Sequence, residues 1–335
     1  MRRPTAVFLL ILLTAYVLAA QRIRTGPADV SVDAKRVDLI QVPDEKPVNA
    51  LVFHGVGSAQ RLFGLSGDTL FTLEAAKTRV VGKLPGPAAT LVSLPGDRLL
   101  AGPYLVDLSG RVIRDYGVKG IQAAVADRQG RAYVVNYPDG EFFVLGERAE
   151  SKGRVYKLFQ IGVDEYFRPV PRALAVDRDG VVWTSGELGY IYRYADERLE
   201  KTVLRLPAEK GRQFLNVVDA MANDPSGVIY GGTSDGYLFR LDPRKPTIEN
   251  LGKPVGRPRI RALALQADAS MLGVAADQLF TWRNGSFELL GLLEYRQPEK
   301  TAWLAYEIDS LAIAADGTAY LGESEYRAHL FVLRK

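Results

Sequence analysis

The chain has 335 residues, 47% hydrophobic and 24% charged, with a formal net charge of +4 and no cysteine. This is the composition of a folded chain rather than a disordered one. The small charge, scattered along the chain, argues against a nucleic-acid or membrane-surface partner, and the missing thiols exclude disulfides, c-type haem attachment and cysteine-ligated iron–sulfur clusters.

Taken in chain order, the first twenty residues stand apart. Arg2 and Arg3 precede an apolar run over 6–20 that ends in small residues and is followed by Gln21 and Arg22. A charged start, a short apolar core and small residues before a polar stretch predict a secretory signal peptide over 1–20. The rival is an uncleaved membrane anchor, for which the run is short. Both readings place the remainder in the periplasm or outside the cell, with membrane contact only through residues 5–20 if the leader persists. A polar linker follows over 21–35.

From residue 36 onward a repeat emerges. Its clearest copy is 218–252, where four runs of about five apolar or aromatic residues alternate with turn clusters rich in Gly, Pro, Asp and Ser, the pattern of a four-stranded antiparallel meander. Its third strand, 237–241 (YLFRL), has counterparts at 69–73, 104–108, 141–145, 190–194, 278–282 and 329–333. That makes seven copies with the spacing of propeller blades. First strands rich in Ala and short aliphatics recur at 122–127, 172–177, 219–224, 261–266 and 309–314, with a weaker copy at 89–94. The last copy stops after its third strand, and an orphan strand over 36–42 is placed to complete it, pinning the chain ends together without an open edge. These features predict an all-β fold: a single seven-bladed β-propeller over 36–335, built of four-stranded antiparallel blades, with the last blade completed by an N-terminal strand. No helical periodicity appears.

The D-x-x-G turns (Asp127–Gly130, Asp177–Gly180), the second strands ending Y-x-G (Tyr230–Gly232, Tyr320–Gly322) and the segment Leu238–Pro243, L-F-x-x-D-P, carry a resemblance. In these the chain resembles secreted bacterial seven-bladed propellers of the streptogramin-lyase-like, YVTN and sensor types. The resemblance implies the fold and leaves function open, because propellers host binding, scaffolding and several chemistries. The Trp-Asp and Gly-His signatures of WD40 repeats are missing.

In such a fold the starts of first strands ring one mouth of the central channel. That ring reads Ala89, Gln122, Arg172, Asp219, Arg261, Asp309. Its alternating Arg172, Asp219, Arg261 and Asp309 predict either a salt-bridge ring locking the blades or a polar ligand site whose arginines grip an anion. Starts of third strands add Thr69, Tyr104, Glu141, Tyr190, Tyr237, Gln278 and His329 further out on the same face. Long connections carry further aromatics and arginines, such as Phe167, Arg168, Phe214, Arg257, Arg259, Tyr295 and Trp303. Tyr190 and Tyr237 are therefore candidate binding residues alongside the charged ring.

Of the two histidines, His54 fits a turn or core role. His329, with Tyr326 and Arg327 before it, is the candidate for catalysis. Some uronate lyases are propellers, and an Arg with a His or Tyr suits proton abstraction beside a neutralised carboxylate. No zinc spacing, EF-hand loop, nucleophile elbow or phosphate loop is present, so no metal or other cofactor is expected. The expected function is that of an exported binding protein recognising a protein partner or a carbohydrate through its loop-rich face. A carbohydrate-active enzyme such as a uronate lyase, and an accessory subunit of a membrane complex, are the alternatives.

Overall fold

A computed structural model describes residues 37–43, 46–146, 155–157, 170–256, 259–266, 268–275, 278–292, 294–296, 303–305, 307–324 and 329–334. The expected leader and linker lie outside these residues. The described strands form seven four-stranded antiparallel sheets, six of them in simple sequential order. Blades 1 to 6 span residues 48–83, 91–115, 121–157, 175–205, 218–252 and 260–292. Blade 7 takes three strands from 308–333 and its fourth from the N-terminal side, Val37–Gln41, which pairs antiparallel with His329–Leu333. The seven-bladed propeller and its closure are as the sequence predicts.

Local chemistry shapes each blade. In the turn joining first to second strands, an aspartate caps the backbone. The Asp127 carboxylate accepts the amides of Gln129 and Arg131, each at 2.9 Å, while Gly130 takes the positive φ of 82° that the turn requires. Asp177 and Asp224 repeat the arrangement. Asp177 also accepts the indole N–H of buried Trp183 at 2.8 Å, and Asp127 the hydroxyl of buried Tyr133 at 3.0 Å. The turn is thereby tied to the blade's largest core side chain.

In the middle of the blade, glycine answers phenylalanine. Gly64, Gly231 and Gly273 on second strands lie opposite Phe71, Phe239 and Phe280 on third strands. A Cβ on any of these glycines would fall inside van der Waals contact of the facing ring. The recurring L-F motif and the recurring Gly are thus two halves of one packing unit.

The core is distributed between blades. Seven buried clusters are present among the described residues, each joining two adjacent blades. Seven interfaces for seven blades means a closed ring. Its seam lies between blades 7 and 1, where Ile40, Val42, Val48, Phe71, Leu330 and Val332 pack together. There the Ser310 hydroxyl donates to the Val48 carbonyl at 3.0 Å, across 262 residues of sequence.

Two features depart from the sequence expectation. The first strand of blade 4, expected over 172–177, is regular only at Ala175–Val176. An extra hairpin, Glu294–Arg296 with Trp303–Ala305, stands between blades 6 and 7 where only a long connection was expected. Among the described residues helical geometry is confined to short 3₁₀ turns.

Candidate functional site at the channel mouth

A backbone irregularity repeated around the ring builds the mouth. In blades 1, 3, 5, 6 and 7 the pairing of first and second strands slips by one residue at the equivalent place. The slip leaves Asn49, Gln122, Asp219, Arg261 and Asp309 without a cross-strand partner. Such a bulge re-aims the side chain it carries. These residues line one cavity of about 460 Å³, together with Thr90 and Arg172 from the approaches to blades 2 and 4. The same cavity is lined by small residues such as Ala50, Ala123, Ala173 and Ala220 and by larger apolar ones including Leu51, Leu174, Met221 and Leu263.

The charged residues do not form the alternating ring that their order suggested. Asp219 is almost fully buried and is gripped by Arg259, whose Nε and Nη2 donate to its two oxygens at 2.7 and 2.9 Å. Burial pushes the Asp219 carboxyl above its ordinary value, opposed by this bidentate contact and by the charges of Arg172 and Arg261. Arg261 is shared: its Nη1 donates to Glu307 at 2.7 Å and to Asp309 at 2.8 Å. Burial works against that guanidinium's charge, but Asp309 and Glu307 more than offset it and hold it above the usual arginine value. Arg261–Asp309 is therefore the one predicted ring neighbour pair that makes direct contact among the described residues.

The other polar ring members divide into tied and free. Gln122 donates its amide to the carbonyls of Val170 and Pro171 at 2.9 and 3.0 Å, locking blade 3 to the approach of blade 4. Asn49 accepts the amide of Gly67 at 3.1 Å. Arg172 is anchored only by its backbone, whose N–H donates to the Val218 carbonyl at 2.9 Å. Its side chain is exposed at the cavity, and its guanidinium makes no hydrogen bond or ion pair among the described residues. Two further polar atoms on lining residues, the Thr90 hydroxyl and the Arg261 Nε, are buried without a hydrogen-bond partner. Buried polar atoms in this state are uncommon.

The outer candidates lie elsewhere. Tyr190 and Tyr237 are not among the cavity residues. The Arg205 guanidinium stands 4.1 Å from the Tyr190 ring centroid, and the Lys253 ammonium 4.3 Å from that of Tyr237. Both tyrosines thus serve as cation–π platforms for the protein's own side chains. His329 is also outside the cavity. Its Nδ1 lies 2.9 Å from a carboxylate oxygen of Glu323, itself 1% exposed, and its backbone N–H donates to the same oxygen at 3.2 Å. Tyr326 and Arg327 lie outside the described residues, as do Phe167, Arg168 and Arg257. His54, at the end of its strand, contacts Ser93 of blade 2 at 2.9 Å, an inter-blade role. No group of His, Asp and Glu able to hold a metal ion occurs among the described residues.

Comparison with known proteins places the architecture. No protein-family model matches the sequence, and no curated protein matches it either. Among solved structures, the chain is similar to virginiamycin B lyase from Staphylococcus aureus, with a TM-score of 0.69 and 11% identity over 90% of this chain and 99% of the lyase. A streptogramin B lyase gives a TM-score of 0.66 and 12% identity, with the same coverage. The extracellular domain of the hybrid two-component system BT4673 from B. thetaiotaomicron gives 0.66 and 14% identity, over 88% of this chain and 39% of that one. The protein is a seven-bladed β-propeller structurally similar to these lyases and to this sensor domain. At such identities the likeness is one of fold.

Proposed function

We propose that this protein is an exported binding propeller that captures a compact polar ligand, a carbohydrate or the polar segment of a protein partner, at the channel mouth of its loop-rich face. The observation that carries this reading is Arg172: an exposed guanidinium at a cavity of about 460 Å³ that makes no hydrogen bond or ion pair among the described residues, in a ring whose other charged side chains are all in direct contact with an opposite charge. A cavity of that size is within the range of small-ligand sites, and a few polar groups among apolar lining residues suit orientation of such a ligand. The leader-like N-terminus supports export.

Capture on arrays of soluble glycans and peptides tests the proposal, with wild type and Arg172→Ala compared side by side. Because Arg172 makes no direct side-chain contact and acts on Asp219 only through longer-range charge, the variant should lose no more than a few degrees of melting temperature while bound ligand falls at least about tenfold, the loss of one charge-assisted hydrogen bond. Ligands that bind the variant as tightly as wild type would overturn the assignment of the site. Mass spectrometry of the exported protein's N-terminus tests the leader, whose cleavage should fall near residue 20.

A further inference from the structure

We infer that the ligand of the channel mouth is an extended zwitterion, with an acid group for Arg172 and an ammonium group for the Glu307–Asp309 wall. The inference rests on the binding role proposed above and adds the chemical class.

It follows from how the charges pair. Asp219 and Arg259 cancel one another through two hydrogen bonds. On the next side of the mouth a single guanidinium, Arg261, serves two carboxylates, Glu307 and Asp309, through the same nitrogen. One negative charge is left over there, and both carboxylates are partly open to solvent, at 43% and 33% exposure. Arg172 leaves one positive charge over on the approach to blade 4. Blades 4 and 7 are three steps apart in a ring of seven, as close to opposite as an odd ring allows. The Asp219–Arg259 pair stands between them, so the surplus charges do not neutralise each other. A concave mouth focuses the resulting field across its width.

This geometry selects among ligands. A simple anion would satisfy Arg172 and meet the surplus carboxylate opposite. A simple cation would meet the reverse, and a neutral sugar could hydrogen-bond to both walls but would neutralise neither. A molecule with its opposite charges several bonds apart satisfies both. Polar lining residues on other blades, Asn49 and Gln122, offer hydrogen bonds to polar groups in the ligand's middle. Two sources share this chemistry, a short peptide with free termini and a non-peptide ω-amino acid, and only the peptide has amides to meet the polar lining residues.

Titration calorimetry with triglycine, N-acetyl-triglycine, triglycine amide and 6-aminohexanoate tests the inference. Triglycine should bind, and each capped form should bind at least about tenfold more weakly. Arg172→Gln should lower triglycine affinity to that of its amide and leave the amide's own affinity unchanged. Asp309→Asn, which keeps the Arg261–Glu307 contact, should do the same for the acetylated form. Binding by 6-aminohexanoate as tight as triglycine would assign recognition to the charges alone, whereas binding by triglycine only would assign it to a peptide. Capped forms that bind as well as triglycine, or no binding by any of the four, would overturn the zwitterion inference. Neither result touches the broader proposal, which stands or falls on Arg172-dependent capture from the arrays.

Discussion

Replacing Arg259 by alanine should be among the most damaging single changes near the mouth. Asp219 is 5% exposed and its carboxylate receives both hydrogen bonds of the Arg259 guanidinium. Removing the arginine leaves a buried carboxylate facing only the longer-range charges of Arg172 and Arg261. Breaking one partner of a buried pair costs about 3–5 kcal/mol. For a chain of this size that corresponds to a fall of roughly 5–8 °C in melting temperature. The pH dependence has a definite sign. Burial already raises the folded-state pKa of Asp219 above its ordinary 3.8, so its contribution to stability is present at acid pH and lost as pH rises through the folded value. Without Arg259 the folded value climbs further, so the deficit relative to wild type should be largest at neutral pH and shrink toward pH 4. Asp219→Asn in the same background should restore at least about half of the loss, since no buried charge remains. Urea unfolding followed by tryptophan fluorescence across pH 4–8 provides the readout. A loss below about 1 kcal/mol at neutral pH, or a deficit that does not change with pH, would refute the assignment of Arg259 as the partner that offsets the burial of Asp219.

Three other changes probe the fold that holds the mouth. Gly231→Ala puts a methyl group into the fully buried Phe239 ring and should cost about 1–3 kcal/mol, with part of it returned by adding Phe239→Leu, as thermal melts would show. Asp177→Ala strands the Trp183 indole N–H and two turn amides, for a loss of about 2–4 kcal/mol visible in urea denaturation; stability within 0.5 kcal/mol of wild type would contradict the role given to these turns. Ile40→Ala, in the closing strand, should cost about 2–4 kcal/mol and speed proteolysis at the blade 7–blade 1 seam, whereas unchanged protection would mean that closure does not depend on that strand.

The fold was legible because each blade must satisfy the same local chemistry. A capped turn needs its Asp and Gly, and an L-F strand needs a glycine opposite, so Asp177–Gly180 and Gly231–Phe239 leave marks that recur at blade spacing. The first-strand positions of the mouth were legible for the same reason. Their partners were not. Arg259 and Glu307 lie in connections, two residues ahead of Arg261 and Asp309, where no periodicity constrains identity. The bulges were also invisible, since an extra residue in one strand changes pairing without changing the apolar pattern. That is why the expected Arg–Asp alternation did not become a ring of contacts. Tyr190, Tyr237 and His329 were grouped with the mouth because they share its face. Third strands stand two strand spacings outward, about 9–10 Å from the inner edge, and cations or Glu323 already occupy those side chains.

The bulge also explains how one scaffold can carry so varied a ring. The residues before the slipped position, Val48, Ile121, Val218, Ile260 and Ile308, are aliphatic and at most 5% exposed, because each packs between blades. Those after it are Ala50, Ala123, Ala220, Ala262 and Ser310, small enough for neighbouring blades to approach. Only the slipped residue escapes both constraints, having no cross-strand partner, and only there does identity range over Asn, Gln, Asp, Arg and Asp. Stability therefore falls on its neighbours and on the pairs that bury its charge, as with Asp219 and Arg259. What is left unpaired is free for the proposed recognition, and among the described charged residues of the ring that is Arg172 on one wall and the surplus carboxylate beside Arg261 on the other.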